Sequence, residues 1–372
     1  MMSNNSEKLV LHRPGVIVPE TDPEPASKKS DMEPLSASLL AGRFVLIRDE
    51  FATGLAILSR LREHVFGSRK GGTDDFQSYR SKRAAYRDAS NRLLVPVEGN
   101  RIALKKAPAI GWLDELYPDM SDFLLPFPQV QGLNSSWQWF LKGVRFPVLK
   151  HEIYPWYGTY FPTRFDHLFL FDKWLKQYSG NRTAAMDIGT GCGVLAFMLL
   201  ERGFEHVLAA DINPNAVMTV RENARHRGLQ DRIGALVSNL FESAIFDGYD
   251  HRADLIVCNP PWLPSDPDSE TSLLDNAIYY DPDFFKRFFS EAGSYLNQNG
   301  RLIVLFSNLG RTSGMDTGHP VEEELENKQR YRKVRMMRRN VAAPSVKTRR
   351  RDHRKDEFVE LWELEAQHEN PG

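Results

Sequence analysis

Cysteine is scarce in this chain. Its 372 residues include only Cys192 and Cys258, too few for a disulfide framework. No stretch approaches the roughly 20 consecutive apolar residues that a membrane-spanning helix requires. The opening MMSNNSEKLVLHRPGVIVPE has no sustained apolar core behind a basic start, so no secretory signal is expected and the cytoplasm is the default location. Charge of one sign is not in excess overall. The formal net charge of −1 excludes a protein that coats nucleic acid with its whole surface. Neither HExxH nor zinc-ligand spacing occurs, so no metal is expected. No internal repeat is visible.

What is present suffices for folded cores. A hydrophobic fraction of 41% and an aromatic fraction of 11% are ordinary for a globular protein, and the length favours two domains over one. Residues 1–32, rich in Ser, Pro, Glu and Lys, read as a flexible leader. Residues 33–150 read as a small mixed accessory domain. Within it, Phe51, Leu55, Leu58, Leu61 and Val65 repeat at helical steps, and Glu98-Gly99-Asn100 separates two short strands of a hairpin. From Thr183 onward strands and helices alternate, the pattern of a parallel α/β sheet, within a domain taken as 151–372. Strands are expected at Ala184 to Ile188, His206 to Ala210, Ile233 to Val237, Asp254 to Cys258 and Arg301 to Phe306. Tyr331 to Met337 and Glu357 to Leu364 would close the sheet as an antiparallel edge. Asn213 followed by Pro214 predicts a capped helix start.

Chemistry concentrates in two motifs. In Met186-Asp187-Ile188-Gly189-Thr190-Gly191-Cys192-Gly193-Val194, three glycines after an apolar strand let the backbone turn and approach a ligand at a helix N-terminus. Alone this is a tight strand-to-helix connection. Asp211 closes the next strand 22 residues after Gly189, where a carboxylate can accept both ribose hydroxyls of an adenosine, although it can equally cap a helix. NAD and S-adenosylmethionine both carry adenosine. Asp187 separates them, since a carboxylate facing the loop repels a pyrophosphate and suits a sulfonium cofactor. It can also simply hold the loop amides.

The second motif is Leu255-Ile256-Val257-Cys258-Asn259-Pro260-Pro261-Trp262. It places a carboxamide and a rigid backbone carbonyl, that of Pro260, at the carboxyl end of a strand. Two acceptors can draw both protons of an amino group out of plane. The lone pair of a planar nitrogen is thereby returned for attack on a methyl group, which stabilises the transition state more than the substrate. Trp262 offers a face for stacking.

On these residues the chain resembles the class I S-adenosylmethionine-dependent methyltransferases. The resemblance is strongest to the branch that joins HemK/PrmC-like glutamine N5-methyltransferases to adenine N6-methyltransferases, and it covers residues 151 to about 310. It implies a Rossmann-like α/β fold: a seven-stranded sheet with helices on both faces and the last strand antiparallel. It also marks Asp187, Gly189, Thr190, Gly191, Gly193, Asp211, Ile212, Asn239 and Asn259 as cofactor-binding, and Asn259, Pro260 and Trp262 as catalytic. Gly189 and Gly191 would line the methionine portion, Asp211 the ribose, and Asn259 the target amine. Two departures stand out. Ser238-Asn239-Leu240-Phe241 replaces the usual Asp that meets the adenine amino group, a bond the Asn239 carbonyl can still accept. Tyr157-Gly158-Thr159-Tyr160-Phe161-Pro162-Thr163-Arg164 is similar to a cofactor-covering segment, with Pro and Thr in reversed order.

The implied reaction is methyl transfer to a planar nitrogen of a macromolecule, either a protein glutamine or an adenine of RNA or DNA. From Lys328 to Lys355 thirteen basic residues face one acid, Asp352, which favours a polyanion; a solvated loop balanced by Glu322 to Glu326 is the alternative. Two further alternatives are a catalytically silent scaffold that binds S-adenosylmethionine or nucleic acid, and an NAD-dependent oxidoreductase. The first leaves Asn259-Pro260-Pro261-Trp262 without purpose. The second leaves Asp187 and Asn259 unexplained.

Overall fold

A computed structural model describes residues 9–67, 76–242, 252–265, 277–315, 318–341 and 356–367. The chain divides into two compact units, His12–Leu141 and Lys142–Gly372, the latter with Met1–Leu11. The division falls nine residues before the expected start at 151, at the last residue of a helix that runs through Phe127–Lys142.

The smaller unit is a five-stranded mixed sheet with helices. Strands β1 (Glu24–Ala26), β2 (Val45–Ile47) and β3 (Leu93–Glu98) are parallel neighbours; β4 (Arg101–Ile102) and β5 (Phe123–Pro126) pair antiparallel with β3. The helices are α1 (Met32–Leu40), α2 (Phe51–Phe66), α3 (Phe76–Ser90), α4 (Trp112–Leu116) and α5 (Phe127–Lys142). The expected hairpin forms with Val97 opposite Ile102, and α2 forms where expected, burying Leu58 and Leu61 of the apolar series together with Ile57 while Leu55 is exposed. The unstructured leader is corrected from Leu9 onward. Its ordering comes from distant partners: Glu24 to Ala26 share a ladder with Val45 to Ile47, Arg13 pairs with Asp119 at 2.5 Å, and the Tyr117 hydroxyl donates to Pro14 O at 2.7 Å. Local composition carries no trace of those contacts.

The larger unit is a doubly covered α/β sheet. Its seven strands are β6 (Ala184–Ile188), β7 (His206–Asp211), β8 (Ile233–Val237), β9 (Ala253–Cys258), β12 (Leu296–Ser307), β13 (Tyr331–Asn340) and β14 (Phe358–Ala366), with β10 (Leu263–Pro264) and β11 (Tyr279–Tyr280) forming a small separate pair. The order is β13-β14-β12-β9-β6-β7-β8, and β14 runs antiparallel to both neighbours. Successive side chains of a strand point to opposite faces. Ala185, Leu255, Val257, Ile303 and Leu305 accordingly join one core with α6 (Asp166–Gln177) and α7 (Val194–Glu201). Met186, Ile188, Ile256, Cys258, Leu302 and Val304 join the other with Phe285, Phe288 and Phe289 of α9 (Phe284–Ala292). Burial on both faces is why these strands read as unbroken apolar runs. The remaining helix of the sheet, α8 (Pro214–His226), begins as expected, with the Asn213 side chain accepting from Asn215 N at 3.0 Å.

The sheet order places the site. From β6 the chain steps outward to β7 on one side, and β9 lies on the other. The carboxyl ends of β6 and β9 therefore flank a topological switch point, where open α/β sheets leave a crevice. One end carries the glycine loop and the other Asn259.

Among the described residues no helix is long and apolar enough to cross a membrane, and no group of His, Cys, Asp and Glu side chains could hold a metal.

Candidate active site

A cavity of about 730 Å³ opens at this switch point, within the size range of small-molecule sites. Gly189, Thr190, Gly191, Asp211, Ile212, Asn239, Asn259, Pro260 and Trp262 all line it; Asp187 and Gly193 do not.

The loop between β6 and α7 is built by its glycines. Gly189, Gly191 and Gly193 have φ of +73°, +52° and +83°, the left-handed region that side chains with a Cβ resist. The amides of Gly189 and Thr190 both donate to Ala210 O, at 2.8 and 3.0 Å, which pins the loop to the end of β7. Asp187 lies beneath it, fully buried. Its Oδ2 accepts from the Thr190 hydroxyl at 2.6 Å and from Ala196 N at 3.0 Å, while Oδ1 has no partner. Burial raises its pKa to about 7 against those two bonds. Asp187 thus braces the loop from behind rather than facing the cavity. Gly193 caps α7 and is held close to Val220 and Phe197.

Asp211, at the end of β7, faces the cavity and also ties its rim. Its two oxygens accept from Gly191 N at 2.7 Å and Asn213 N at 2.9 Å, bonds that favour the carboxylate against burial, which raises its pKa. Each oxygen keeps a further lone pair for a ligand. Ile212 beside it is 54% exposed and lines the same cavity. The Asn239 amide nitrogen donates to Glu242 at 3.1 Å, so its carbonyl oxygen is the atom left to accept.

Asn259 follows β9 directly. Its Oδ1 is buried without a hydrogen-bond partner, and so is Nε1 of Trp262. Leaving such a group unpaired costs about 1–3 kcal/mol, a cost natural sites bear where a ligand completes the bond.

Two features escape a reading of the sequence, a polar row on α8 and the placing of His167 and Glu357 in the cavity, whereas segment 157–164 is already marked by its resemblance to a cofactor-covering one. Asn215, Thr219 and Asn223 form a buried polar row on α8 that holds the segment ahead of the sheet: Asn215 Nδ2 donates to Tyr157 O at 2.7 Å, Trp156 N to Thr219 Oγ1 at 2.9 Å, and Tyr154 N to Asn223 Oδ1 at 2.9 Å. A Cβ on Gly191 would stand 3.2 Å from Tyr160 O, so this segment packs on the glycine loop. His167 and the ion pair of Arg164 with buried Glu357, at 3.2 Å, line the same cavity. The spacing of four along α8 was the available signal for the polar row.

The basic stretch proves largely neutralised where it is described. Across the β13–β14 register Arg332 pairs with Glu365, Arg335 with Glu363 at 3.2 Å, and Arg338 with Glu360 at 2.7 Å. Arg330 meets Glu324 at 2.5 Å and Arg339 meets Asp166 at 3.1 Å. Lys347, Arg349, Arg350, Arg351, Asp352, Arg354 and Lys355 lie outside the described residues.

Residues 169–335 match the family described as methyltransferase small domain. Over these residues the chain is similar to the methyltransferases of that family. A Methanocaldococcus jannaschii protein named for N5-glutamine methylation is 30% identical over 131 residues, 33% of this chain and 61% of its own. The release factor glutamine methyltransferase of Streptococcus pneumoniae is 31% identical over 133 residues, 32% of this chain and 44% of its own. The tRNA1(Val) (adenine(37)-N6)-methyltransferase of Pedobacter heparinus is 34% identical over 132 residues, 34% and 54% respectively. The chain thus spans about half the length of the curated relatives it matches. The methyltransferase domain implies S-adenosylmethionine as cofactor, and the cavity suits it in volume, in acidic rim and in the left-handed loop that lets backbone approach a ligand.

Proposed function

We propose that the chain transfers a methyl group from S-adenosylmethionine to a planar nitrogen of a macromolecule, a protein glutamine or an adenine of nucleic acid, through the domain from about residue 151 to the end. The observation that carries this reading is the buried, unpartnered Oδ1 of Asn259 at the switch-point cavity, on a strand next to the one that bears the glycine loop. When bound, the cofactor supplies an electrophilic methyl group on a sulfonium sulfur.

The chain's own residues do the rest. Gly189, Thr190 and Gly191 admit the methionine portion, with Asp187 and Gly193 holding the loop in shape. Asp211 accepts from the ribose, Ile212 and Asn239 meet the adenine, and the Asn259 carboxamide oxygen with the Pro260 carbonyl accepts hydrogen bonds from the two N–H groups of the target amine while Trp262 lies against its plane. The bonds to Asn259 and Pro260 strengthen as positive charge develops on the nitrogen, so they lower the barrier more than they aid binding. Relatives named for glutamine and for adenine methylation support both acceptors. A nucleic-acid acceptor would draw on the basic residues between 342 and 355, because the arginines of β13 already have acidic partners.

The test uses methyl-labelled S-adenosylmethionine with separate protein, RNA and DNA fractions, followed by single-turnover transfer to whichever accepts label. Asn259→Ala is expected to slow transfer by about 100-fold or more while cofactor affinity stays within a few-fold. Undiminished transfer by that variant would remove the amine-orienting role and the case for nitrogen.

A further inference from the structure

Methylation of an amino nitrogen leaves a proton to be lost, and the reading above assigns no group to take it. Among the described residues, Asp211, Asp281, Glu357 and His167 are the carboxylates and imidazole that line the cavity. Three of them have other work. Asp211 accepts two loop amides, Asp281 accepts from Asp283 N at 2.9 Å, and Glu357 is held by Arg164 at 3.2 Å. The thiols of Cys192 and Cys258, pushed up by burial, keep their protons.

His167 differs from all of these. It sits in the first turn of α6, only 4% exposed, and its Nε2 is enclosed with no hydrogen-bond partner. Its ring stands edge-on to Trp262, with centroids 5.5 Å apart and planes at 88°, so it borders the aromatic surface assigned to the acceptor. The nearest opposing charge, Asp166, is itself engaged by Arg339 at 3.1 Å. Three polar atoms without partners, on Asn259, Trp262 and His167, thus belong to side chains lining one cavity.

We propose that His167 is a catalytic residue of this site, its imidazole taking the proton that the newly methylated nitrogen releases. The inference rests on N-methyl transfer as the reaction. The nitrogen lone pair forms the N–C bond as the C–S bond breaks, and the electron pair of that bond stays on sulfur. The nitrogen then carries the methyl group, a positive charge and one proton more than the product. That proton passes to the neutral imidazole, and the imidazolium gives it to water when the product leaves. Burial holds His167 at a pKa of about 4, opposed weakly by Asp166, so the ring is neutral and ready to accept at physiological pH. Such a weak base is adequate here. A nitrogen whose lone pair is delocalised is a far weaker base still, so its alkylated cation yields the proton readily.

The experiment compares wild type, His167→Ala and His167→Phe in single-turnover transfer to the fraction that accepts label, with melting and cofactor affinity measured on each. Both variants are expected to slow transfer by about 100-fold or more with cofactor affinity within a few-fold. Phenylalanine keeps a ring against Trp262, so it should do no better than alanine. Added imidazoles of graded pKa are expected to restore His167→Ala at rates that rise with their basicity. Transfer by His167→Phe at the wild-type rate would reduce the residue to packing, and rescue indifferent to basicity would make it a mere filler; either overturns the proposal while methyl transfer itself stands. A wild-type chain that labels no fraction would remove the proposed function and this inference together.

Discussion

Gly193 and Gly189 occupy the same loop with similar backbone angles, yet substituting alanine at each should fail in different ways. Gly193 has φ +83°, and a Cβ there would stand 2.9 Å from Val220 Cγ2 and 3.1 Å from Phe197 Cε2. Both neighbours are fully enclosed, at 0% and 1% exposure, so neither side chain can swing into solvent. The left-handed backbone costs a residue with a Cβ about 1–2 kcal/mol. Overpacking the core adds about 1–3 kcal/mol. A midpoint near 3.5 kcal/mol lowers the melting temperature of a unit this size by about 7–14 °C. Gly189 has φ +73° and nothing within 4 Å of its added Cβ, so only the backbone term of about 1–2 kcal/mol applies. It lines the cavity, however, and the new methyl group takes space from the ligand. Thermal unfolding with calorimetric titration of S-adenosylmethionine should give Gly193→Ala the larger loss of stability with cofactor affinity within a few-fold. Gly189→Ala should melt closer to wild type and lose at least about tenfold in affinity. Equal melting temperatures, or a Gly193→Ala protein that melts normally but does not bind, would refute this division of the loop into a braced base and a ligand-facing tip.

Asp211→Ala should weaken S-adenosylmethionine binding by at least about tenfold, since charge-assisted bonds to two hydroxyls are each worth roughly 1.5–3 kcal/mol; unchanged calorimetric affinity would remove Asp211 from the cofactor site. Asp187 gives a pH-dependent prediction. Burial raises its folded pKa from 3.8 to about 7, so the native state holds a proton that the unfolded chain has already released between those values. Its contribution is therefore full below about pH 4 and lost as pH rises through about 7. Asp187→Asn keeps one oxygen for Thr190 and Ala196 and cannot ionise, so its denaturant midpoint should gain on wild type between pH 5 and 8; a parallel pair of pH profiles would show that Asp187 does not titrate there.

The larger unit was legible in sequence because its signals are local. Buried parallel strands write themselves as short apolar runs, left-handed turns demand glycine, and Asn213-Pro214 starts a helix by rules that span three residues. The strands at Ala184–Ile188 and Ile233–Val237 have the bounds read from pattern alone. Elements defined by distant partners were not legible. Residues 9–31 read as unstructured because the ladder that orders Glu24 to Ala26 lies some twenty residues on, and Arg13 is fixed by Asp119. The arginines of β13 read as a polyanion surface because Glu360, Glu363 and Glu365 sit in the next strand along the chain, beyond the basic run itself.

The same contrast separates the two polar groups on which the proposed chemistry turns. Asn259 announces itself, because a carboxamide between a buried strand and two prolines has few other uses. His167 does not, because nothing within several residues of it makes a histidine neutral or idle. Its state is produced by a helix start that carries it into the core and by Trp262 set edge-on from 95 residues away, with Asp166, itself paired with Arg339, opposing the effect of burial. A group whose protonation state depends on packing from three separate segments becomes visible only when the fold is assembled. A base kept neutral by burial suits this reaction, since a solvated carboxylate near a sulfonium cofactor would pair with that charge instead of waiting for the proton.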